Sequence, residues 1–305
     1  MKKVLMKDIA KQANVTVATV SYVLNNVEGQ TISEETRKRI LEIAKEIGYV
    51  PNLTAKALAS KKSGLIGVMT VKNHSIAGSW KDILYCRLIN ELECSLRKIG
   101  YHLLISSVDA ANPELDIILQ RELEGVFLLD VREDAFYNIS TRFSVPIILV
   151  DSYLNDDLFV KIVPDFEAAI HKAKEMLDSS CSFIIADKVN NKGYADRIKE
   201  ASGLSEEDIL FAENEEDAAS FLKKRENQKG ICINECLAVI AGKYISFRQM
   251  AVICTCGFPS LLPQDVKTVE FNENKAEIII DVMKSLIDKI YSNGQSRYKF
   301  IGVKD

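Results

Sequence analysis

The stretch KDIAKQANVTVATVSYVLN, residues 7–25, contains two short amphipathic segments joined by a tight turn. Apolar side chains recur at helical spacing in both segments, at Ile9, Ala10 and Ala13 in the first and at Val20, Val23 and Leu24 in the second. Thr16 stands just before the second segment, where its hydroxyl can accept a hydrogen bond from an otherwise unpaired N–H group of the first turn. The pattern predicts two helices separated by a turn, which is a helix-turn-helix.

The outward side of the second predicted helix carries small, hydroxyl and amide side chains instead of the Glu and Lys mixture of a merely solvated face. These side chains are Val17, Ala18, Ser21, Tyr22 and Asn25. Residues 33–36, Ser-Glu-Glu-Thr, predict the start of a third helix, because acidic residues in a first turn complement the helix dipole. We expect that helix to end at Gly48. A three-helix unit of any other purpose is the alternative to a DNA-binding one.

Charge is distributed unevenly along the 305 residues. Residues 1–62 contain 11 Lys and Arg against 6 Asp and Glu, whereas the remaining residues contain 28 against 37. A small basic segment on an acidic remainder indicates that the first segment binds a polyanion and the remainder does not. The basic charge, the short turn and the small polar face together favour a helix-turn-helix that binds nucleic acid.

Residues 7–25 resemble the headpiece of the lactose-repressor (LacI) family of bacterial transcription regulators. The similarity continues through residues 36–37 and 48–52 to residues 55–59 and 67–68. The resemblance implies that the second helix enters the major groove of DNA and that Val17, Ala18 and Tyr22 face base edges. It also implies that a second set lies near phosphates, namely Thr16, Thr19, Ser21, Asn25 and Tyr49. The complete set predicted to contact DNA adds Lys7, Asn52, Ala55 and Leu58.

Two positions of this set leave alternatives open. Tyr22 stands where the family commonly has Arg, which reads guanine with two hydrogen bonds, so the preferred base cannot be deduced. The alternative for Tyr22 is a side chain that only packs against the backbone. Residues 51–62 resemble the hinge helix of the family, in which Leu58 matches the residue that inserts into the minor groove and kinks the duplex. The alternative is an ordinary linker with Leu58 packed on the body.

From Ser63 onward, apolar strand-like runs alternate with longer amphipathic segments, which predicts parallel sheets covered by helices on both faces. The resemblance refines the fold class to an all-α helix-turn-helix headpiece with a hinge helix, followed by an α/β body of two Rossmann-like (periplasmic-binding-protein-like) parallel-sheet subdomains. The predicted domains are the headpiece at 1–50, the hinge and linker at 51–62 and the effector-binding and dimerisation body at 63–305. We expect the N-subdomain at 63–157 plus the C-terminal tail, and the C-subdomain at 158–292. Crossovers are expected near 154–161, 271–274 and 292–299.

The resemblance implies a small-molecule site in the cleft between the subdomains, and this sequence departs from the family there. Arg197 matches the cleft arginine of the family, Asn234 matches the amide of an Asn-Asp pair, and Phe258 belongs to a Gly-Phe pair. Pro259 replaces the carboxylate that usually follows. The predicted effector-binding set is His74, Trp80, Arg197, Asn234 and Phe258, for a sugar-like molecule or another metabolite.

Each of these assignments has an alternative. Arg197 can form a surface salt bridge with Asp196 or Glu200, and His74 can be an exposed loop residue. The site as a whole either binds a different small molecule or has degenerated, in which case a protein partner on the body regulates the chain. A regulator without allosteric input is the third possibility.

Seven cysteines are scattered along the chain, which favours reduced thiols over a disulfide framework. Four of them can meet if their strands are neighbours: Cys232, Cys236, Cys254 and Cys256. Structural zinc usually uses more closely spaced pairs, and buried cysteine is a common small apolar residue. We therefore expect neither a metal nor a cofactor, with a metal or redox site as the alternative.

The remaining sequence features exclude other classes of protein. No window of 18 uncharged apolar residues predicts a membrane span, and charged residues interrupt the N-terminal segment where a signal peptide needs an apolar run. Glycine-rich nucleotide-binding motifs and hydrolase motifs are missing, so an enzyme is not expected. The sequence predicts a cytoplasmic, homodimeric regulator, more specifically a repressor, that binds a pseudopalindromic operator in double-stranded DNA and no membrane. A cytosolic solute-binding receptor is the alternative from a different class.

Overall fold

The computed structural model describes residues 4–24, 29–49, 62–72, 81–109, 115–272, 274–291 and 296–304. The chain divides into two compact units, Met1–Ser63 and Gly64–Asp305. The described part of the first unit is helical, and the second unit contains two parallel sheets. Among the described residues, none of the helices combines the length and the apolar character that a membrane span requires.

The first unit contains three helices: α1 (Met6–Ala13), α2 (Val17–Leu24) and α3 (Glu34–Glu46). One fully buried side chain from each helix meets at the centre of the unit, namely Ile9, Val20 and Ile40. The apolar stripes that were read from helical spacing therefore form a shared core, and the predicted helix-turn-helix is confirmed.

Side-chain caps explain where α2 and α3 begin. The Thr16 hydroxyl accepts a hydrogen bond from the Thr19 N–H at 3.1 Å, as predicted for the start of α2. Ser33 caps α3 in the same way by accepting from the Thr36 N–H at 3.2 Å. The chain leaves α3 through Gly48, whose φ of +65° lies in the left-handed region that favours glycine.

The first subdomain of the body is built on six strands: β1 (Leu65–Lys72), β2 (His102–Asp109), β3 (Gly125–Leu129), β4 (Ile147–Val150), β5 (Val160–Pro164) and β11 (Tyr298–Ile301). They form a parallel sheet in the order β11-β5-β4-β3-β1-β2. Helices α4 (Lys81–Lys98) and α11 (Lys275–Ile287) pack on one face. Helices α5 (Asp116–Leu119) and α6 (Glu133–Ser140) pack on the other.

The second subdomain is built on five strands: β6 (Cys181–Asp187), β7 (Ile209–Ala212), β8 (Lys229–Ile233), β9 (Met250–Ile253) and β10 (Lys267–Val269). Their order in the parallel sheet is β10-β9-β8-β6-β7. Helices α7 (Phe166–Met176) and α8 (Lys192–Ser202) cover one face. Helices α9 (Glu215–Lys223) and α10 (Glu235–Ala241) cover the other. The predicted fold class is confirmed, and its hinge helix lies outside the described residues.

The predicted subdomain boundaries need correction. Strand β5 belongs to the first subdomain because it pairs with β4 and β11, and α11 packs on the core of the same sheet. The N-subdomain therefore continues past residue 157, and the segment 158–292 does not form one subdomain. The chain passes from the first sheet to the second after β5, near Asp165, and returns to the first subdomain between β10 and α11. Since β5 and β11 both belong to the first sheet, the crossovers expected near 154–161 and 292–299 are wrong. The boundaries shift because β5 and β11 form backbone hydrogen bonds with neighbouring strands of the first sheet. The chain can therefore leave that sheet only after each of these strands has ended.

Parallel strands bring their carboxyl ends to one edge of each sheet, and polar residues follow several of these ends. Asp130 follows β3 and Asp151 follows β4 in the first subdomain, while Asn190 and Asn234 follow β6 and β8 in the second. Ligands of open α/β sheets bind outside these carboxyl ends. The edge where the two subdomains meet is therefore the place to look for an effector site.

Candidate DNA-binding surface and effector cleft

The outward face of α2 leaves the side chains predicted to read bases accessible. Val17 is 47% exposed, Tyr22 is 37% exposed, and Ala18 is exposed as well. On the opposite side of the helix, Val20 and Val23 are buried in the headpiece core. The helix thus keeps a core-facing stripe and an accessible outer face, which is the arrangement that a recognition helix requires.

Two of the side chains predicted to contact phosphates, Thr16 and Thr19, lie at the amino end of α2. The exposed Thr16 hydroxyl lies 2.9 Å from the Thr19 hydroxyl, so two hydroxyls stand side by side. Ser21 is half-buried on α2, and Lys7 is exposed on α1. Tyr49 packs against the headpiece core and is half-buried after α3. Hydroxyl and ammonium groups of this kind are the usual donors to phosphate oxygens.

Six of the predicted site residues lie outside the described residues: Asn25, Asn52, Ala55, Leu58, His74 and Trp80. The predicted hinge and linker, residues 51–62, also lies outside them apart from Lys62. The roles assigned to these residues stay predictions.

Arg197, the predicted cleft arginine, lies on α8 with 57% of its side chain exposed. Its guanidinium group pairs with Glu200 at 3.4 Å and lies 5.6 Å from the centre of the Tyr153 ring. The surface salt bridge that was the alternative for this residue is therefore present. Arg197 lines two shallow pockets on the surface beside α8.

Asn234 and Phe258 occupy two further environments. Asn234 is buried, and both ends of its amide are used, because its oxygen accepts from the Leu237 N–H at 2.8 Å and its nitrogen donates to Asp187. Phe258 is 36% exposed, and the Arg87 guanidinium lies 4.7 Å from the centre of its ring. Arg197, Asn234 and Phe258 thus lie in three different environments, and the effector-binding role that the resemblance implies for them stays a prediction.

The centre of the cleft is instead closed by hydrogen bonds between the two subdomains. The buried Asp130 carboxylate, at the end of β3, accepts from the N–H groups of Asn190 and Asn191 at 3.0 Å. The Asn190 side chain donates back to the Val71 carbonyl at 2.8 Å. A carboxylate that accepts backbone N–H groups makes strong, charge-assisted hydrogen bonds. The polar groups of Asp130 and Asn190 are thus hydrogen-bonded to the protein itself and do not need a polar ligand as a partner.

Asn191 is the most connected residue of this closed region and is 1% exposed. Its side-chain oxygen accepts from the N–H groups of Tyr153 and Tyr194, both at 2.9 Å. Its side-chain nitrogen donates to the carbonyls of Val131 at 2.9 Å and Tyr153 at 3.0 Å. All four hydrogen bonds that an amide side chain can make are present. Asn191 therefore caps α8 and joins that helix to the first subdomain at once.

A cavity of about 280 Å³ lies next to this closed region, between α4 and α11 on one side and the segment after β9 on the other. Lys275 donates to Asp151 at 2.9 Å in its wall, and Tyr85, Cys256 and Glu270 also line it. A volume of this size suits a small metabolite. The sequence alone did not point to this cavity, because its lining comes from segments far apart in the chain.

The Tyr85 hydroxyl in the cavity wall has no hydrogen bond within the described residues, although only 7% of the residue is exposed. Burial first, and then the Asp151 and Asp130 carboxylates, hold the pKa of Tyr85 well above its usual value. The hydroxyl therefore stays protonated and can donate to a ligand. Sequence reasoning missed Tyr85 because it lies among apolar residues in the second turn of α4.

Four thiols lie at the carboxyl edge of the second sheet. Cys232 and Cys254 are buried on the neighbouring strands β8 and β9 or directly after them, while Cys236 is half-buried in α10 and Cys256 is buried after β9. No group of three metal-ligating side chains occurs among the residues that the structure describes. The arrangement therefore does not resemble a four-thiolate zinc site.

Comparisons with known proteins agree with this architecture. Residues 5–52 match the family described as bacterial regulatory proteins, lacI family. Catabolite control protein A of Staphylococcus epidermidis is 25% identical over 313 residues, covering 95% of this chain and 89% of that protein. Catabolite control protein A of Staphylococcus xylosus is 27% identical with the same coverage. A crystal structure of the lac repressor dimer bound to operator and the anti-inducer ONPF matches with a TM-score of 0.74 at 16% identity, covering 99% of this chain and 97% of that one.

The headpiece and the body together define a class of protein, a helix-turn-helix transcription regulator with a periplasmic-binding-like α/β body. Residues 5–52 match the lacI family of bacterial regulatory proteins, and the resemblance first seen in residues 7–25 is confirmed. The chain is a DNA-binding regulator and not an enzyme, as the sequence predicted.

Proposed function

We propose that this chain is a cytoplasmic repressor that binds a pseudopalindromic DNA operator as a homodimer. The observation that carries the proposal is the accessible outer face of α2, where Val17, Ala18 and Tyr22 stand clear of the headpiece core. Side chains of this size fit the major groove and can contact base edges, including thymine methyl groups. A two-fold symmetric protein reads a two-fold symmetric site, so each half-site takes one headpiece.

The proposal assigns a role to each segment of the chain. The headpiece, residues 1–50, reads one half-site, and the hinge, residues 51–62, inserts Leu58 at the centre of the operator. The body, residues 63–305, holds two copies together and receives the regulatory signal. Asn25, Asn52 and Ala55 are assigned to the DNA contact by the family resemblance.

Selection of bound duplexes from a random pool tests the proposal directly and identifies the operator. Tyr22→Ala is expected to change which bases are preferred within each half-site, because the side chain faces base edges. Lys7→Ala is the matched control: it should weaken all duplexes alike and lower the salt dependence by about one unit if the ammonium group meets a phosphate. A reduced, folded protein that enriches no sequence from the pool would contradict the proposal.

Leu58→Ala tests the hinge separately from the headpiece. The variant should weaken binding to the selected operator by a few kcal/mol at most, roughly the free energy of unstacking one base step. It should also reduce the bend measured by circular-permutation gels and leave the half-site preference unchanged. Parental bending by the variant would show that residues 51–62 act as a plain linker.

Exposed apolar side chains on the second subdomain support the homodimer. Val239 on α10 is 43% exposed, and Leu261, in the single-turn helix Pro259–Leu261 that contacts α10, is 52% exposed. A second copy of the chain would remove both from water. Leu261→Glu should therefore shift the chain toward monomer in light scattering, with the exposed Leu158→Glu as a control that leaves the mass unchanged.

Control by a small molecule is the second candidate function, and it is favoured by the 280 Å³ cavity, in whose wall the Tyr85 hydroxyl has no hydrogen-bond partner among the residues that the structure describes. A thermal-shift screen of sugars, nucleosides and phosphorylated metabolites would find such a ligand. At about 100 times its dissociation constant, the ligand should stabilise the protein by roughly 2.7 kcal/mol. Saturation should also change operator affinity, because coupling between sites requires different affinities for two states.

Two substitutions locate the ligand. Tyr85→Phe should weaken a ligand that binds in the cavity, whereas Arg197→Ala should leave it unchanged, because Arg197 lies outside that cavity. The opposite pattern would place the ligand beside α8, as the family resemblance implies. No shift with any compound would favour the degenerate-site alternative, in which the hydrogen bonds of Asp130 and Asn191 replace a ligand and a protein partner regulates the body.

A further inference from the structure

The wall of the 280 Å³ cavity contains more carboxylates than cations among the described residues. Its carboxylates are Glu91, Asp151 and Glu270, and its cations are Arg87 and Lys275. The Arg87 guanidinium lies 2.7 Å from the Glu91 carboxylate, and the Lys275 ammonium contacts both oxygens of Asp151 at 2.9 and 3.0 Å. These two ion pairs use both cations of the wall. Glu270 therefore remains as the carboxylate whose charge no cation of the described wall offsets.

Glu270 is held by a weak ion pair outside the cavity. It lies directly after β10, at the carboxyl edge of the second sheet, and 38% of its side chain is exposed. Within the described residues its ion pair is with Lys304, whose ammonium is 3.5 Å away and whose side chain is 61% exposed. An ion pair so open to water contributes little free energy. A cation inside the cavity can therefore replace Lys304 as the partner of Glu270.

A further carboxylate, Glu235, lies directly behind this wall. It is fully buried and accepts hydrogen bonds from the N–H groups of Cys256 at 2.9 Å and Phe258 at 2.7 Å. Cys256 is itself part of the wall. Both donors are neutral backbone groups, and no cation contacts Glu235 within the part of the chain that the structure describes. The cavity thus has an excess of negative charge on its wall and a second negative charge behind it.

A hydroxyl and a thiol of the wall are affected by these carboxylates. Burial first, and then the Asp151 carboxylate, raise the pKa of Tyr85 well above its usual value. Burial first, and then the Glu235 and Glu270 carboxylates, raise the pKa of Cys254 in the same way. The carboxylates therefore oppose any further negative charge at the wall. The same electrostatic field attracts a positive charge.

Tyr85 provides a second group for recognition. It lines the cavity and is 7% exposed, and its hydroxyl has no hydrogen bond within the described residues. Buried hydroxyl groups in folded proteins nearly always have a hydrogen-bond partner. A polar atom of a ligand is therefore the partner that this hydroxyl calls for.

We propose that the cavity binds a small organic cation, namely an amine that also carries a hydroxyl or another uncharged polar group. The ammonium group of the ligand contacts Glu270, and its uncharged polar group forms a hydrogen bond with the Tyr85 hydroxyl. Neutral and anionic molecules of the same size bind less tightly, because they leave the negative charge of the cavity unbalanced. This assignment rests on the proposed control by a small molecule and names the chemical class of that molecule.

Isothermal titration calorimetry with matched compounds tests the charge of the ligand. Glucosamine, ethanolamine and aminobutanol are the cationic probes. Their neutral counterparts are glucose, ethylene glycol and butanediol, and their anionic counterparts are glucuronate, glycolate and hydroxybutyrate. At least one amine should bind about tenfold or more tightly than its neutral counterpart, which is the effect of one charge-assisted hydrogen bond. The anionic counterparts should bind least tightly of each series.

Four variants locate the amine that binds. Glu270→Gln should weaken it by about tenfold or more, whereas Glu277→Gln removes the same charge from an exposed position of α11 outside the cavity and should change nothing. Lys304→Met releases Glu270 from its ion pair and should tighten the amine by up to about fivefold. Tyr85→Phe should weaken the amine and its neutral counterpart alike. An amine whose affinity is unchanged in Glu270→Gln would overturn the proposal.

The titrations contain no DNA, so their result is independent of the proposed operator binding. A protein that binds an amine but no duplex would contradict the DNA-binding function and support the cationic ligand. Binding of neutral or anionic compounds as tightly as amines would agree with control by a small molecule and overturn the assigned charge. Failure of every amine to bind would overturn the assignment as well, and operator selection would still decide the DNA-binding function.

Discussion

Replacing Asn191 by alanine should destabilise the body more than any single exposed substitution. The side chain is buried, and its four hydrogen bonds join the start of α8 to the backbone of Val131, Tyr153 and Tyr194. An alanine side chain fits at this position, directly before α8, but it can neither accept nor donate a hydrogen bond. Two backbone N–H groups and two carbonyls lose their partners in one step.

The size of the effect follows from these four groups. A lost helix cap costs about 1 kcal/mol, and each buried polar group left unpaired costs roughly 1–3 kcal/mol. Water will reach some of the groups beside α8, so a value near the lower limit applies to each of them. We expect the free energy of unfolding to fall by about 4 kcal/mol, which is roughly 8–16 °C in melting temperature for a unit of this size.

Urea and thermal unfolding of the full chain, followed by circular dichroism, measure this loss. Asn155→Ala is the matched control, because Asn155 is exposed near the same surface and should change the unfolding free energy by less than about 0.5 kcal/mol. If Asn191→Ala stays within about 1 kcal/mol of the parent, the hydrogen bonds seen at Asn191 do not hold the subdomains together. The closed cleft centre would then need another explanation.

Three further changes test other parts of the structure. Thr16→Ala removes the cap of α2 and should lower headpiece stability by about 1 kcal/mol, while Thr16→Ser should retain it; unfolding of both variants by circular dichroism is the check. Lys275→Met leaves the Asp151 carboxylate buried without its partner and should cost roughly 3–5 kcal/mol in urea unfolding, and a second change, Asp151→Asn, should restore most of the loss. Burial and the Glu124 carboxylate raise the pKa of Tyr101 to about 12, so its contribution to stability is present below pH 10 and is lost as pH rises from 10 to 12. Tyr101→Phe should make the decline of unfolding free energy over that pH range less steep, and an unchanged slope would show that Tyr101 titrates as in the unfolded chain.

The headpiece could be predicted almost completely because its determinants are local. The stripe of Ile9, Ala10 and Ala13 and the caps at Thr16 and Ser33 depend on residues three or four positions apart. Spacing of this kind is visible in a sequence, because helical geometry places those positions on one face. Once the core-facing residues of α2 are known from this spacing, the opposite side of the helix is predicted to be exposed.

In the body, the alternation of apolar runs predicted two parallel sheets but not every strand of them. The apolar runs that predicted strands did not include β5, β7 or β11. β5 contains the fully buried Lys161, which breaks its apolar run, and the edge strand β11 leaves Phe300 51% exposed. A strand of this kind is recognised by its neighbours in the sheet more than by its own pattern. The misplaced subdomain boundary followed from missing β5 and β11.

The amino-acid sequence by itself determined the class of protein, the helix-turn-helix and the α/β character of the body, because each depends on short-range periodicity, capping and charge. Only the tertiary structure decided which polar side chains are available to a ligand. Asp130 is occupied by backbone groups 60 and 61 residues away, and Lys275 pairs with Asp151 across 124 residues. It also decided that Arg197 faces outward. Such contacts are set by the order of strands in the two sheets, and residue spacing along the chain carries no record of that order.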